Sequence, residues 1–201
     1  MPNPKTLADF AGLQRQPAHW SSASIVVVDP QLEYITGRVP LEGVYQAVEE
    51  IGTLLSMARA EGAPVFHIVH HGRPGSILFD PDGPTSKIIP AIEPASNEKV
   101  IVKGLPNAFA GTSLKEELDR TGRKQIIVCG FATHMCVSAT TRSALDHGFQ
   151  ATVVAAACAT RDLPDPTTGG YIKARDIHCS TLAALNDRFA LVVKDHTVWL
   201  S

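Results

Sequence analysis

The stretch at residues 130–149 reads GFATHMCVSATTRSALDHGF. It follows the apolar run Gln125-Ile126-Ile127-Val128-Cys129. A short run rich in Ile and Val that ends at Gly reads as a buried strand. Beyond Thr133 the period changes: Val137, Thr140 or Thr141, Ala144 and Leu145 recur at helical spacing, and His147-Gly148 supply a stop. The chain is therefore expected to pass from a strand through a tight turn into a helix. Cys136 falls in the first turn of that helix, just past Thr133 as N-cap. Unpaired N–H groups and the positive end of the helix dipole meet there. Both favour a thiolate, the nucleophilic form of cysteine. The turn alone leaves a second reading open, in which Cys136 is a small buried hydrophobe.

Working outward, the same alternation of strand and helix recurs. Residues 24–28, within SIVVVD, read as a strand that runs into Asp29-Pro30. Proline cannot continue a central strand, so Asp29 is expected at its carboxyl end. Residues 44–60 carry Val44, Val48, Ile51, Leu55 and Ala58 on one helical side, and Gly62 closes them. Further strands are expected at residues 63–70, 100–102, 151–156 and 190–193, and further helices at 113–120 and 171–185. Residues 72–98 hold Pro74, Pro81, Pro84, Pro90 and Pro94 and read as a long irregular covering segment. Residues 1–22 read as an arm over the surface or onto a partner subunit. Strands alternating with helices imply right-handed crossovers and a parallel sheet covered on both faces. The expected fold is α/β, a three-layer α-β-α Rossmann-like fold with a six-stranded parallel sheet.

Such sheets bind ligands outside the carboxyl ends of their strands, near the switch in strand order. Asp29 ends the first strand, Lys103 follows the third and Cys136 follows the fourth. An acid, a base and a potential nucleophile thus share one sheet edge. Asp29 would take the thiol proton and return it to a leaving amine. Lys103 would stabilise thiolate and carboxylate by charge. The turn after Gly130 would direct backbone N–H groups at a developing oxyanion.

At 201 residues the chain is expected to form one domain, residues 1–201 with the 1–22 arm, large enough to bury a full core. The net charge is −2 with scattered basic residues, so no nucleic-acid partner is expected. No apolar run approaches the roughly 20 residues of a membrane span, so no membrane association is expected. The first twenty residues show no apolar signal region. The four cysteines, Cys129, Cys136, Cys158 and Cys179, form no CxxC pair and no zinc spacing. Reduced thiols in a cytoplasmic protein are the simplest account. Cys129 and Cys179 read as packing residues. No GxGxxG follows the first strand, so no dinucleotide, and no cofactor of any kind, is expected.

Three motifs in order carry a family resemblance: VVVDPQ at residues 26–31, KGLPNAFAGTSL at 103–114 and GFATHMCV at 130–137. The chain resembles the isochorismatase-like cysteine hydrolases, in particular a metal-free branch that includes streptothricin-hydrolase-type amidohydrolases. The resemblance implies catalytic roles for Asp29, Lys103 and Cys136. It also implies a cis peptide between Phe131 and Ala132 that turns the Ala132 and Cys136 N–H groups toward the oxyanion. Nicotinamidases of this superfamily carry an Asp-x-His metal motif after the second strand. Val69 and His71 stand at those positions here. No carboxylate completes a ligand set around His67, His70 and His71, so no metal is expected. His71 is expected to line the pocket or to be structural.

Phe109 lies where the family presses an aromatic ring against the substrate. Gln31, His134 and Tyr171 are further candidates for substrate binding. The expected activity is hydrolysis of a C–N bond in a small amide, lactam or ureido compound through a thioester. Two alternatives remain open: vinyl ether hydrolysis of the isochorismatase type, and a catalytically silent α/β module that binds a metabolite. A homo-oligomer is expected. Phe10, Leu13 and Trp20 in the arm, and Ile77, Leu78, Phe79, Ile88, Ile89 and Ile92 in the irregular segment, exceed the apolar content of a solvated loop.

Overall fold

Six parallel strands lie in the order β3-β2-β1-β4-β5-β8 in the computed structural model, which describes residues 3–200. They are β1 (Ala23–Val28), β2 (Val65–His70), β3 (Lys99–Lys103), β4 (Gln125–Phe131), β5 (Gln150–Ala159) and β8 (Ala190–Val193). All six residues of β1 are buried. Its unbroken apolar run is what a central parallel strand with both faces covered requires. Ile25 and Val27 face one core and Val26 and Val28 the other. The expected six-stranded α/β sandwich is the observed one.

The first core lies under α2 (Val44–Ala60), which buries Val44, Ala47, Val48, Ile51, Leu54, Leu55 and Ala58 along one stripe. The second lies under α3 (Leu114–Arg120), α4 (Ser138–Asp146) and α5 (Ala174–Arg188). Three boundaries that bear on the site differ from those read in the sequence. β4 continues to Phe131 and β5 to Ala159. The last helix begins at Ala174 rather than at 171, because Tyr171–Ile172 (β7) pairs antiparallel with Leu163–Pro164 (β6). Asp162 Oδ1 then accepts from the Ala174 N–H at 2.8 Å, which starts the helix there.

The amino-terminal arm opens with one helical turn, α1 (Leu7–Phe10), and lies on its own chain. Arg15 Nη2 donates to the Asn186 carbonyl at 2.7 Å, and the Ala18 N–H donates to Thr152 Oγ1 at 2.9 Å. Trp20 is buried against Trp199, ring centroids 5.1 Å apart. Of the apolar residues expected to need outside cover, Trp20, Ile89 and Ile92 are covered by this chain, whereas Phe10, Leu13, Ile77 and Leu78 are exposed. No helix among the described residues is long and apolar enough to cross a membrane.

Candidate active site

The order of strands reverses between β1 and β4, and the loops that leave their carboxyl ends part there. Asp29 follows β1 directly. Its φ of +47° is left-handed, a conformation that Asp tolerates better than most residues, and its N–H donates to the Ile68 carbonyl at 2.8 Å. The carboxyl group is thereby turned into the protein, and Asp29 is fully buried. Lys103 ends β3, two strands away. Adjacent strands are about 4.8 Å apart, so its side chain must cross β2 to reach β1. It does so: Lys103 Nζ lies 2.8 Å from Asp29 Oδ2. The same Nζ donates to Cys136 Sγ at 3.3 Å. Lys103 is 1% exposed and Cys136 5%.

Between β4 and α4 the chain makes a π-helical turn, Thr133–Val137, that carries Cys136. The Phe131–Ala132 peptide before it is cis. Thr133 does not cap this turn, contrary to expectation. Its hydroxyl lies 3.0 Å from the Ala159 carbonyl oxygen and 2.9 Å from His178 Nδ1, because β5 runs on beside it. Gly130 has φ +112°, and a Cβ there would meet the Val28 carbonyl oxygen at 2.1 Å. Only glycine lets β4 lie so close to β1 at the switch point.

The electrostatics differ from the expectation of a resting thiolate. Burial pushes the Cys136 thiol up to about 12; the Asp29 carboxylate adds to the rise and the Lys103 charge opposes it. Desolvation outweighs the opposing charge of Lys103. Cys136 is therefore a thiol at rest. Burial also raises Asp29 to about 6, against the pull of Lys103. An acid poised near neutrality beside a protonated thiol suits proton transfer between them.

The wall residues named from sequence separate into several fates. Gln31 is fully buried, and its amide is used up on backbone: Oε1 accepts from the His70 N–H at 2.8 Å, and Nε2 donates to the His70 and Ser86 carbonyls at 2.9 and 2.8 Å. It braces β2 and has no donor left for a substrate. Phe109 packs against His147 and Phe149, centroids 4.8 and 5.9 Å away. Those residues lead into β5, so Phe109 belongs to the core at the amino-terminal edge of the sheet. Tyr171 is 65% exposed on β7, with Lys173 Nζ 4.7 Å above its ring. His134 is half-buried with Nδ1 against Thr160 Oγ1. His71 is half-buried, and its N–H donates to the Lys103 carbonyl at 3.0 Å. Cys179 is exposed, not packed.

The three neighbouring histidines have separate partners. His67 Nε2 lies 3.1 Å from Glu98 Oε2 in a buried contact on the α2 side of the sheet. His70 Nδ1 lies 3.1 Å from Lys103 Nζ on the opposite side. The alternation of a strand separates them. Among the described residues no group of three His, Cys, Asp or Glu side chains is arranged to hold a metal ion.

Four residues at the site were given no site role from sequence. His70 is one. Tyr34 is 6% exposed; burial and the nearby Asp29 carboxylate push its phenol well above the ordinary range, so it stays a neutral hydroxyl. Its ring meets Phe79 and Phe131 edge-on at 5.3 and 5.8 Å. Phe79 has φ +53°, which costs a bulky residue about 1–2 kcal/mol. Arg161 follows β5 and bears electrostatically on both Tyr34 and His134. It donates to the Asp162 carbonyl and makes no ion pair among the described residues. Arg161 was within reach of the strand-end rule, had β5 been read to Ala159. The others depend on chain folding that no local pattern reports.

The isochorismatase domain matches residues 23–192, which takes in the whole sheet but for Val193. The chain belongs to the isochorismatase family. It is 38% identical over 174 residues to an uncharacterized isochorismatase family protein of Bacillus subtilis, covering 85% of this chain and 95% of the relative. It is 32% identical over 167 residues to a streptothricin hydrolase of Streptomyces noursei, covering 83% of this chain and 57% of that protein. Among solved structures, an isochorismatase from Pseudomonas putida superposes with a TM-score of 0.90 at 42% identity, covering 96% of this chain and 97% of that one. This isochorismatase-family chain is thus a member of a hydrolytic family, in line with the resemblance carried by its three motifs.

Proposed function

We propose that the protein is a cysteine-dependent hydrolase that cleaves an amide, lactam or ureido C–N bond in a small molecule through a thioester. The observation that carries this reading is the enclosed contact of Lys103 with both Asp29 and Cys136, at 2.8 and 3.3 Å. A buried ion pair rarely recovers its full desolvation cost, so its presence beside a thiol supports a chemical role. The Asp29 carboxylate takes the Sγ proton as sulfur attacks the carbonyl carbon. The Ala132 and Cys136 N–H groups receive the negative charge that forms on oxygen. Asp29 then gives the proton to the departing nitrogen, the C–N bond breaks and the acyl group remains on sulfur. A water molecule loses its proton to Asp29, attacks the thioester and releases the acid, and the proton returns to sulfur. Lys103 offsets charge on sulfur and carboxylate in turn.

The guanidinium of Arg161, which makes no ion pair among the described residues and bears electrostatically on Tyr34 and His134, supports a substrate that carries an anionic group such as a carboxylate. Similarity to a streptothricin hydrolase supports hydrolysis of a small molecule. Vinyl ether hydrolysis transfers no acyl group and leaves the Cys136 thiol without a step. A silent binding module leaves the enclosed Lys103–Asp29 pair without a purpose. The exposed Phe10, Leu13, Ile77 and Leu78 support a homo-oligomer, and four free cysteines support a reducing compartment such as the cytoplasm. The test is a panel of small amides, lactams and ureido compounds, with and without a carboxylate, assayed for ammonia or amine release. Release by the native protein and none by Cys136→Ala is expected. A native protein that releases nothing from any member of the panel overturns the reading.

A further inference from the structure

Lys103 reaches Asp29 only by crossing β2, and the residue it crosses is His70. The two are direct partners in the register of β2 and β3. Around Lys103 Nζ stand three acceptors: Asp29 Oδ2 at 2.8 Å, His70 Nδ1 at 3.1 Å and Cys136 Sγ at 3.3 Å. An ammonium has three N–H donors and no acceptor. Lys103 Nζ binds His70 Nδ1 and Cys136 Sγ by hydrogen bonds and Asp29 as an ion pair. His70 Nδ1 must then be the unprotonated nitrogen, with its proton on Nε2.

Two further residues hold His70. Gln31 clamps its backbone N–H and carbonyl at 2.8 and 2.9 Å. Phe79 meets its ring edge-on at 5.1 Å, from a left-handed backbone that directs that ring. A solvated strand end needs none of these supports.

We infer that His70 is a positioning residue, the fixed neutral acceptor that keeps the Lys103 ammonium aimed at Asp29 and Cys136. This rests on the reading of Cys136 as nucleophile and Asp29 as its base. Without the Nδ1 acceptor, one N–H of the enclosed ammonium lacks a partner. The ammonium then turns away from sulfur, and the exchange of a proton between Cys136 and Asp29 loses its alignment. Burial and the Lys103 charge lower the His70 pKa to about 4, which is in keeping with a ring that stays neutral.

The experiment uses Cys179→Ser protein, to remove the exposed thiol, and follows alkylation of Cys136 by iodoacetamide with mass mapping. His70→Leu is expected to slow that reaction roughly 10- to 100-fold, the size of one lost hydrogen bond to a charged group. His70→Asn, whose side-chain oxygen can stand near the place of Nδ1, is expected to restore the rate to within a few-fold. Nitrogen-15 spectra of histidine-labelled native protein should show His70 as the Nε2–H tautomer. A His70→Leu rate equal to native, a folded His70→Asn as slow as His70→Leu, or a proton found on Nδ1 overturns the inference. The tautomer decides the matter even where a variant does not fold. If Asp29→Asn leaves Cys136 alkylation unchanged, it is the cysteine-hydrolase reading that falls, and the tautomer still judges His70 separately.

Discussion

Lys103 Nζ and Asp29 Oδ2 lie 2.8 Å apart with both side chains shut off from solvent, although the two residues end strands that are not neighbours. The pair does not hold Asp29 at the low pKa of an exposed salt-bridged acid. Burial pushes it up to about 6, ahead of the opposing pull of Lys103. In the proposed mechanism the carboxylate is the form that accepts the thiol proton. Activity should therefore be present above pH 6 and fall as pH drops through it. A kcat/KM profile measured on both sides of that value checks this, and a flat profile would count against Asp29 as base. Asp29→Asn should lose about 10²- to 10⁴-fold, the usual contribution of a positioned acid–base group.

The four cysteines should separate by exposure. Cys179 is exposed, whereas Cys129, Cys136 and Cys158 are buried. Iodoacetamide should modify Cys179 first with no loss of activity. Cys136 should follow, with activity lost in step, and Cys129 and Cys158 should react only after unfolding. Mass mapping against residual activity checks the order. Loss of activity on modification of Cys179 alone would contradict the assignment.

Gly130→Ala should be among the most damaging single-methyl changes available. The added Cβ would stand 2.1 Å from the Val28 carbonyl oxygen and 2.6 Å from the Val28 nitrogen, both backbone atoms of the central strand. The φ of +112° adds strain. A loss above about 4 kcal/mol, or no soluble protein, is expected. Urea unfolding checks it; a variant as stable as the native protein would show that β1 and β4 can part.

Glu98 should stabilise the fold at neutral pH and cease to do so in acid. Burial raises its pKa, but hydrogen bonds from Arg59, the Ala95 N–H and His67 outweigh burial and bring it to about 2. A folded pKa below the ordinary 4.5 means stabilisation that is present above 4.5 and is lost as pH falls toward 2. Glu98→Gln should cost about 1.5–3 kcal/mol at neutral pH, the range for hydrogen bonds to a charged group. The gap to the native protein should close in acid. Urea titrations at several pH values test it, and a gap independent of pH would refute the charge argument.

Light scattering should give a mass above that of one chain. Phe10 and Ile77 are 74% and 78% exposed. A dilution-independent monomer would remove the argument that these side chains meet a second copy.

The sequence by itself determined the sheet and the candidate site residues at its edge. The period of each element is local: the unbroken run of β1 and the single stripe of α2 are visible without any partner. Because parallel strands place their carboxyl ends on one edge, Asp29, Lys103 and Cys136 could be brought together from their positions at strand ends alone. Tertiary structure decided everything that depends on which strands are neighbours and on how far water is excluded. That Lys103 spans β2 follows from strand order, and that His70 supports it follows from register, neither of which is written in any one segment. Gln31, a polar residue beside the site, became a brace because the end of β2 offered it a backbone N–H and carbonyl. The resting state of Cys136 turned from thiolate to thiol because desolvation is a property of the closed interior, and no turn motif carries it.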